Sequence, residues 1–274
     1  VPRATVNGTE LQYELTGTGD ETLVFLNGIA MSIAYWAPIV RPLAARYRCL
    51  CHDFRGQMLS PRRRSAGAAG AAAGPIALSD HVEDLRALLD SLGIRRAHLI
   101  GTSYGAEVAM MFALTFPSTT ASLIVIDGVS ELDPLLKATA EAWKTAALAD
   151  PISFYRSIIP WNYSSAWIGA NVGALARREA AIAALPRGYF EDFAALCDAF
   201  LDLNITNRLP EITCQTLVVV AEKDILKHAG FARTIAENIP GACLKVIAGA
   251  GHAVVIEKPA DVLAEIEAFL AGGH

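Results

Sequence analysis

One serine in this 274-residue sequence sits in a pattern that suits a reactive group, and in this context favours it over a merely structural glycine-flanked turn. Gly101-Thr102-Ser103-Tyr104-Gly105 matches G-x-S-x-G. The serine of such a pattern stands at a sharp strand-to-helix turn with its hydroxyl exposed. Side chains two residues before and after it would collide, so glycine fills both places. The following helix points its N-terminus at the site, where developing negative charge is favoured.

A serine hydroxyl is a poor nucleophile until a base takes its proton, and the base needs a carboxylate to orient it. Of six histidines, His252 is the candidate base. It follows an apolar strand in Ala248-Gly249-Ala250-Gly251-His252, where glycines let a loop carry the ring over a sheet edge. His52 and His98 fall in strands and His81 in a helix's first turn. His228 reads as a solvated side chain on the acid's loop, and His274 is terminal. Asp224, in Ala221-Glu222-Lys223-Asp224, follows another strand and is the candidate acid, with Asp127 the alternative and Glu222 nearby. The charge that builds on a carbonyl oxygen during acyl transfer needs two N–H donors. Tyr104 supplies one. Ile29, on the Asn27-Gly28-Ile29-Ala30 loop, supplies the other.

Elements that could hold these groups alternate along the chain. Strand-like runs are Arg3–Gly17 (with a hairpin signal at Asn7-Gly8), Thr22–Leu26, Arg48–Asp53, Ala97–Ile100, Leu123–Ile126, Leu217–Ala221 and Cys243–Ile247. Helices are expected at Tyr35–Tyr47, Asp80–Leu92 (capped by Ser79), Tyr104–Phe116, Ala229–Asn238 and Ala260–Leu270. Continuous apolar strands alternating with helices imply an α/β fold with a mostly parallel sheet covered on both faces. The rhythm breaks between 130 and 209. Only helix-like runs occur there: Pro134–Leu148, Ile152–Ile159, Ser165–Ala176 and Tyr189–Leu203, separated by Pro151, Pro160 and Pro186. Residues 1–129 and 210–274 therefore read as the core and 130–209 as an inserted helical cap.

The resemblance is to the α/β-hydrolase superfamily across nearly the whole chain. The small bacterial group of enol-lactonases, carboxylesterases, non-haem haloperoxidases and C–C hydrolases is the nearest. Leu26-Asn27-Gly28, Asp53-Phe54-Arg55-Gly56, Gly101–Gly105, Glu222-Lys223-Asp224, Gly251-His252 and Glu257-Lys258-Pro259 carry it. It implies an eight-stranded sheet, a triad of Ser103, Asp224 and His252, an oxyanion hole from Ile29 and Tyr104, and a cap over the site. The chain departs from the pattern at Asn27 (His in many members), at Met58 (the second glycine of D-x-R-G-x-G-x-S) and at Ala106.

The cap segment carries Trp143, Phe154, Tyr155, Trp161, Tyr163, Trp167, Tyr189, Phe190, Phe193 and Phe200. Trp143, Trp161 and Trp167, with Trp36 from the core, are the candidate substrate contacts, and they favour an apolar or aromatic substrate. Few arginines cluster there, which argues against a strongly anionic one. The expected reaction is ester hydrolysis, with lactone or thioester next. The same triad also serves acyl transfer, C–C hydrolysis or cofactor-free haloperoxidation, and a non-catalytic small-molecule receptor is the rival outside catalysis.

Composition bounds these readings. The chain is 53% hydrophobic and 19% charged, as in globular proteins. No run approaches the roughly 20 apolar residues of a membrane span. The net charge of −5 and the short Arg62-Arg63-Arg64 cluster, read as a solvated loop, argue against nucleic acid. No metal or cofactor motif is found. Five cysteines with scattered spacing imply free thiols in a reducing compartment, hence a cytoplasmic protein with no visible leader. A homo-oligomer is compatible with all of this. Ser65–Gly74, rich in Ala and Gly, is expected to be a mobile loop.

Overall fold

The computed structural model of the protein describes residues 2–58, 60, 62 and 74–272. The expected mobile loop, apart from Gly74, lies outside the described residues, as do Arg63, Arg64 and His274. Arg62 is described and is not simply solvated: its Nε lies 3.0 Å from Asp192 Oδ1.

Eight strands form one sheet: β1 (Arg3–Val6), β2 (Thr9–Thr16), β3 (Thr22–Leu26), β4 (Arg48–His52), β5 (Ala97–Thr102), β6 (Thr120–Ile126), β7 (Thr216–Ala221) and β8 (Cys243–Ile247). Their order is β1-β2-β4-β3-β5-β6-β7-β8. β1 pairs antiparallel with β2, and β2 with β4; every later pairing is parallel. The β1–β2 turn uses Asn7 (φ 44°) and Gly8 (φ 73°), the left-handed pair of a two-residue hairpin.

Both faces of the parallel strands are apolar, and this fixes the layers. Val24, Leu26, Leu99, Val218 and Val220 point to one buried cluster. Leu23, Phe25, Ile100, Leu217 and Val219 point to the other. The first is covered by α2 (Leu78–Ser91), α3 (Tyr104–Thr115) and α9 (Ala229–Asn238), through Leu85, Val108 and Ile235. The second is covered by α1 (Ala37–Leu43), the short α10 (Val254–Glu257) and α11 (Pro259–Leu270), through Ile39, Val255 and Ile266.

Between β6 and β7 the chain makes five helices: α4 (Pro134–Ala149), α5 (Pro151–Asn162), α6 (Ser165–Ala170), α7 (Val172–Ala183) and α8 (Arg187–Leu201). Asp133 and Asp150 cap α4 and α5, accepting from the N–H groups of Leu136 and Ser153 at 2.7 Å each. Trp143, Phe154 and Phe193 join the apolar cluster beneath.

Local boundaries differ from expectation for identifiable reasons. The segment expected as one helix over 35–47 is a 3₁₀ turn, Ile33–Trp36, leading into α1, because Pro38 suits only a helix start. The expected helix 165–176 breaks at Asn171 (φ −124°, ψ 23°), whose side-chain Nδ2 donates to the Trp167 carbonyl. Pro160 does not end α5, which runs on to Asn162. The N-cap of α2 is Ala77 rather than Ser79; Asp80 Oδ2 accepts from the Ala77 N–H at 2.9 Å.

Two histidines are locked in the core around Phe54. The His52 and His81 rings lie 5.1 and 4.9 Å from it, and His81 Nε2 bonds Tyr104 Oη at 2.9 Å. Burial lowers the His52 pKa to about 4 and that of His81 to about 3. Both are neutral when folded, yet each binds a proton below about 6.5 when unfolded. The unfolded chain therefore holds more protons in that window, and stability falls as pH drops from about 6.5 towards 4. Thermal midpoints measured across the window should show this slope, and His81→Phe should make it shallower. An unchanged slope in the variant would mean that His81 is not buried neutral.

Candidate active site

The turn after β5 forces Ser103 into φ 51°, ψ −120°, a region non-glycine residues rarely occupy. Two close approaches hold it there. A Cβ on Gly101 would lie 2.2 Å from the Gly105 carbonyl oxygen, and one on Gly105 would lie 2.2 Å from that of Leu26. α3 is thereby packed against β5 and β3 at once.

His252 reaches this turn from the loop after β8. Its Nε2 lies 2.8 Å from Ser103 Oγ, and its Nδ1 lies 2.7 Å from Asp224 Oδ2. With the Nδ1 proton donated to Asp224, Nε2 is left to accept from the serine hydroxyl. Asp224 Oδ1 accepts from the N–H groups of Leu226 and Lys227 at 2.8 Å each. Burial pushes the Asp224 carboxyl up, but the imidazole and the two N–H donors outweigh it and hold the group below the usual carboxylate range. The three sequence candidates are thus in one hydrogen-bonded line.

Asp127, the alternative acid, lies behind them. Its Oδ1 accepts from the Ala221 N–H at 2.8 Å, and it makes no hydrogen bond to His252. Complete burial, and then the charge of Asp224, push its pKa well up, so it is held neutral. Asp127, Asp224 and His252 are the one group among the described residues with three ligand atoms within 4.8 Å. Asp224 and His252 are hydrogen-bonded to each other within it. Glu222 is further out: it accepts from the Gly249 N–H at 2.8 Å and steadies the histidine loop. His228 is exposed, as expected, and its Nδ1 accepts from the Gly230 N–H at the start of α9.

The loop after β3 is held by a buried polar network. Gln57 Nε2 donates to the carbonyls of Gly28 and Ile29 at 2.8 and 2.9 Å. Asn27 Nδ2 donates to Asp53 Oδ1 at 3.0 Å, and Trp36 Nε1 donates to Asn27 Oδ1 at 2.9 Å. Among the described residues, neither the Ile29 nor the Tyr104 N–H donates to a protein acceptor. Met58 has φ 43°, which explains why glycine suits its place in the pattern.

Ser103 and His252 open into a cavity of about 250 Å³. Trp143 lines it, as do Phe154, Tyr155, Tyr163, Tyr189 and Phe193. The other three tryptophans named from the sequence do not. Trp36 is completely buried, its ring 5.2 Å from Phe25. Trp161 packs against the main apolar cluster. Trp167 stacks on Tyr163 at 4.3 Å, outside the lining. The sequence reading missed Met31, Tyr35, Met58, Asn162 and Arg178, which do line it. Their only signal was proximity to Gly28 and to the helical segment. It also missed the buried ion pair of Lys227 Nζ with Glu107, at 2.9 and 3.0 Å, for which a lone glutamate within the apolar α3 was the available signal.

Similarity to known proteins runs the length of the chain. The model of the alpha/beta hydrolase family matches residues 23–266. The RutD protein of Stutzerimonas stutzeri, assigned to carbamate hydrolysis, is 31% identical over 248 residues, spanning 89% of this chain and 90% of its own. RutD of Azorhizobium caulinodans, assigned the same reaction, is 28% identical over 267 residues, spanning 97% and 96%. MGS-M2, an alpha/beta hydrolase enzyme from a Medee basin deep-sea metagenome library, superposes with a TM-score of 0.91 at 26% identity, covering 98% of this chain and 97% of its own.

The two buried aspartates can be told apart by their partners. Asp224→Asn is expected to lower kcat/KM on the order of 10⁴-fold, because an amide favours the wrong imidazole tautomer. Asp127→Asn, replacing a carboxyl already neutral, should cost less than about tenfold. Equal losses in the two variants would contradict the assignment.

Proposed function

The chain belongs to the alpha/beta hydrolase family, and we propose that it cleaves a carboxylic ester, lactone or thioester of a small, largely apolar substrate through an acyl-enzyme on Ser103. One observation carries this reading: the unbroken line Ser103–His252–Asp224, whose serine and histidine line a largely apolar cavity. In the first step His252 Nε2 takes the hydroxyl proton as Ser103 Oγ attacks the carbonyl. The N–H groups of Ile29 and Tyr104 receive the developing oxyanion. His252 then hands its proton to the leaving alcohol or thiol. Water, deprotonated by the same imidazole, then attacks the acyl carbonyl, and the imidazolium returns the proton to Ser103 Oγ as the acid leaves. Asp224 stays ionised and stabilises the imidazolium in both half-reactions.

In this reading residues 130–209 act as a cap. Its attachment to the histidine loop supports the idea. The Ala253 N–H donates to the Asn162 carbonyl at 2.7 Å, and the Ser164 N–H donates to Glu257 Oε1 at 2.7 Å. Movement of the α5–α6 junction would therefore be felt beside the base. The five free thiols fit a reducing compartment, so we place the protein in the cytoplasm.

A second reading rests on the RutD relatives: the bond cleaved is a carbamate. The same nucleophile and oxyanion donors would serve, since only the group attached to the carbonyl changes. Acyl transfer, C–C hydrolysis, haloperoxidation and a receptor role complete the alternatives.

Wild-type protein should label with a fluorophosphonate, and Ser103→Ala should not. Turnover of a panel of esters, lactones, thioesters and carbamates should then be greatest for an ester, lactone or thioester and fall by at least about 10³-fold in Ser103→Ala. Absence of wild-type labelling would overturn the nucleophile, and a preference for carbamates would select the second reading.

A further inference from the structure

Arg178, on α7, lines the same cavity as Ser103 and His252. Its guanidinium is half-buried among rings: 5.1 Å from the Tyr35 centroid, 5.7 Å from Trp167 and 5.9 Å from Tyr163. Nη1 donates to Tyr163 Oη at 2.7 Å. Among the described residues no carboxylate pairs with it. The neighbouring acids are committed elsewhere, Glu179 to Arg156 and Glu257 to Ser164.

Tyr163 does not supply the missing charge. Burial pushes its hydroxyl up to about 12, so it remains a neutral acceptor. The guanidinium keeps most of its five N–H donors free, in a planar fork. A partly buried cation without a counter-ion is costly, and aromatic faces offset only part of that cost. A planar anion with two acceptor oxygens would satisfy both the charge and the fork. The cavity that Arg178 shares with the serine is lined largely by apolar and aromatic side chains, Ile182 and Phe193 among them.

We propose that the substrate carries a carboxylate at the end of an apolar acyl chain, and that Arg178 binds this carboxylate while Ser103 attacks the carbonyl. The proposal rests on the serine-hydrolase reading above. The acyl portion is the part that stays on Ser103 after the alcohol leaves, so the cavity must hold it through both half-reactions. A single terminal charge is also compatible with the scarcity of arginines in the helical segment. Arg178 here sets specificity; it takes no part in bond breaking.

The test compares monoethyl esters of straight-chain dicarboxylic acids with ethyl esters of monocarboxylic acids of equal length, followed by proton release. At one chain length the wild-type kcat/KM should favour the carboxylate by on the order of tenfold or more. In Arg178→Met that ratio should collapse towards one. Arg178→Lys, which keeps the charge but not the fork, should retain only part of it. A wild-type ratio near one at every length, or a ratio that survives in Arg178→Met, would overturn the proposal. Calorimetric binding of the free dicarboxylates to Ser103→Ala separates this outcome from failure of the hydrolase reading. If Ser103→Ala binds a dicarboxylate and the Ser103→Ala, Arg178→Met double variant does not, the anion site stands whether or not esters are turned over. If esters are turned over and no dicarboxylate binds, the hydrolase stands and the anion site falls.

Discussion

The backbone at Ser103 is the constraint on which the rest of the structure depends. A non-glycine residue at φ 51°, ψ −120° costs of order 1–3 kcal/mol and persists only when its surroundings over-determine it. Here the surroundings are close backbone contacts on either side of the turn. Gly101 and Gly105 let β5, α3 and β3 approach within distances that no side chain would allow. The parallel sheet supplies the rigidity, because its central strands are buried on both faces. Strain at one residue is thus offset by burial spread over two apolar layers.

Around that turn the polar groups are arranged in pairs that leave few loose ends. Gln57 fixes two carbonyls of the loop after β3, and Asn27 links Asp53 to Trp36. The Lys227 main chain binds Asp224 while its side chain binds Glu107, so the loop holding Asp224 is tied to α3, the helix that follows the serine. Asp127 sits neutral beneath the line and adds no second negative charge. Each of these groups is buried, where an unpaired partner would cost more than the pair contributes. Rigidity near the serine therefore comes from satisfied polar contacts as much as from packing.

How much of this the sequence revealed follows from the range of each interaction. The pattern around Ser103 was legible because the collision it avoids is local, two residues either way. His252 and Asp224 were legible through their positions after apolar strands, since parallel sheets gather functional groups at one edge. The strands themselves were legible from continuous apolar runs. The cavity wall was not. Trp36 and Trp143 are both aromatic residues near site elements, yet Trp36 faces Asn27 under the sheet and Trp143 faces the cavity. Which way a helix turns its ring depends on packing between α4, α5, α7 and α8. Arg178 was hidden for the same reason: it is one of two adjacent arginines on α7, distinguished by which rings surround it. The break at Asn171 rests instead on a local hydrogen bond from its side chain to the Trp167 carbonyl, which the pattern of apolar residues does not reveal.

The covalent state of Ser103 during turnover tests the account most directly. Intact-protein mass spectrometry, with rapid acid quenching while a turned-over ester is still in excess, measures it. The account predicts a mass increase equal to the acyl group, mapped by peptide digestion to the segment holding Ser103 and absent from Ser103→Ala. Turnover without any such adduct, with the same rate in Ser103→Ala, would contradict it.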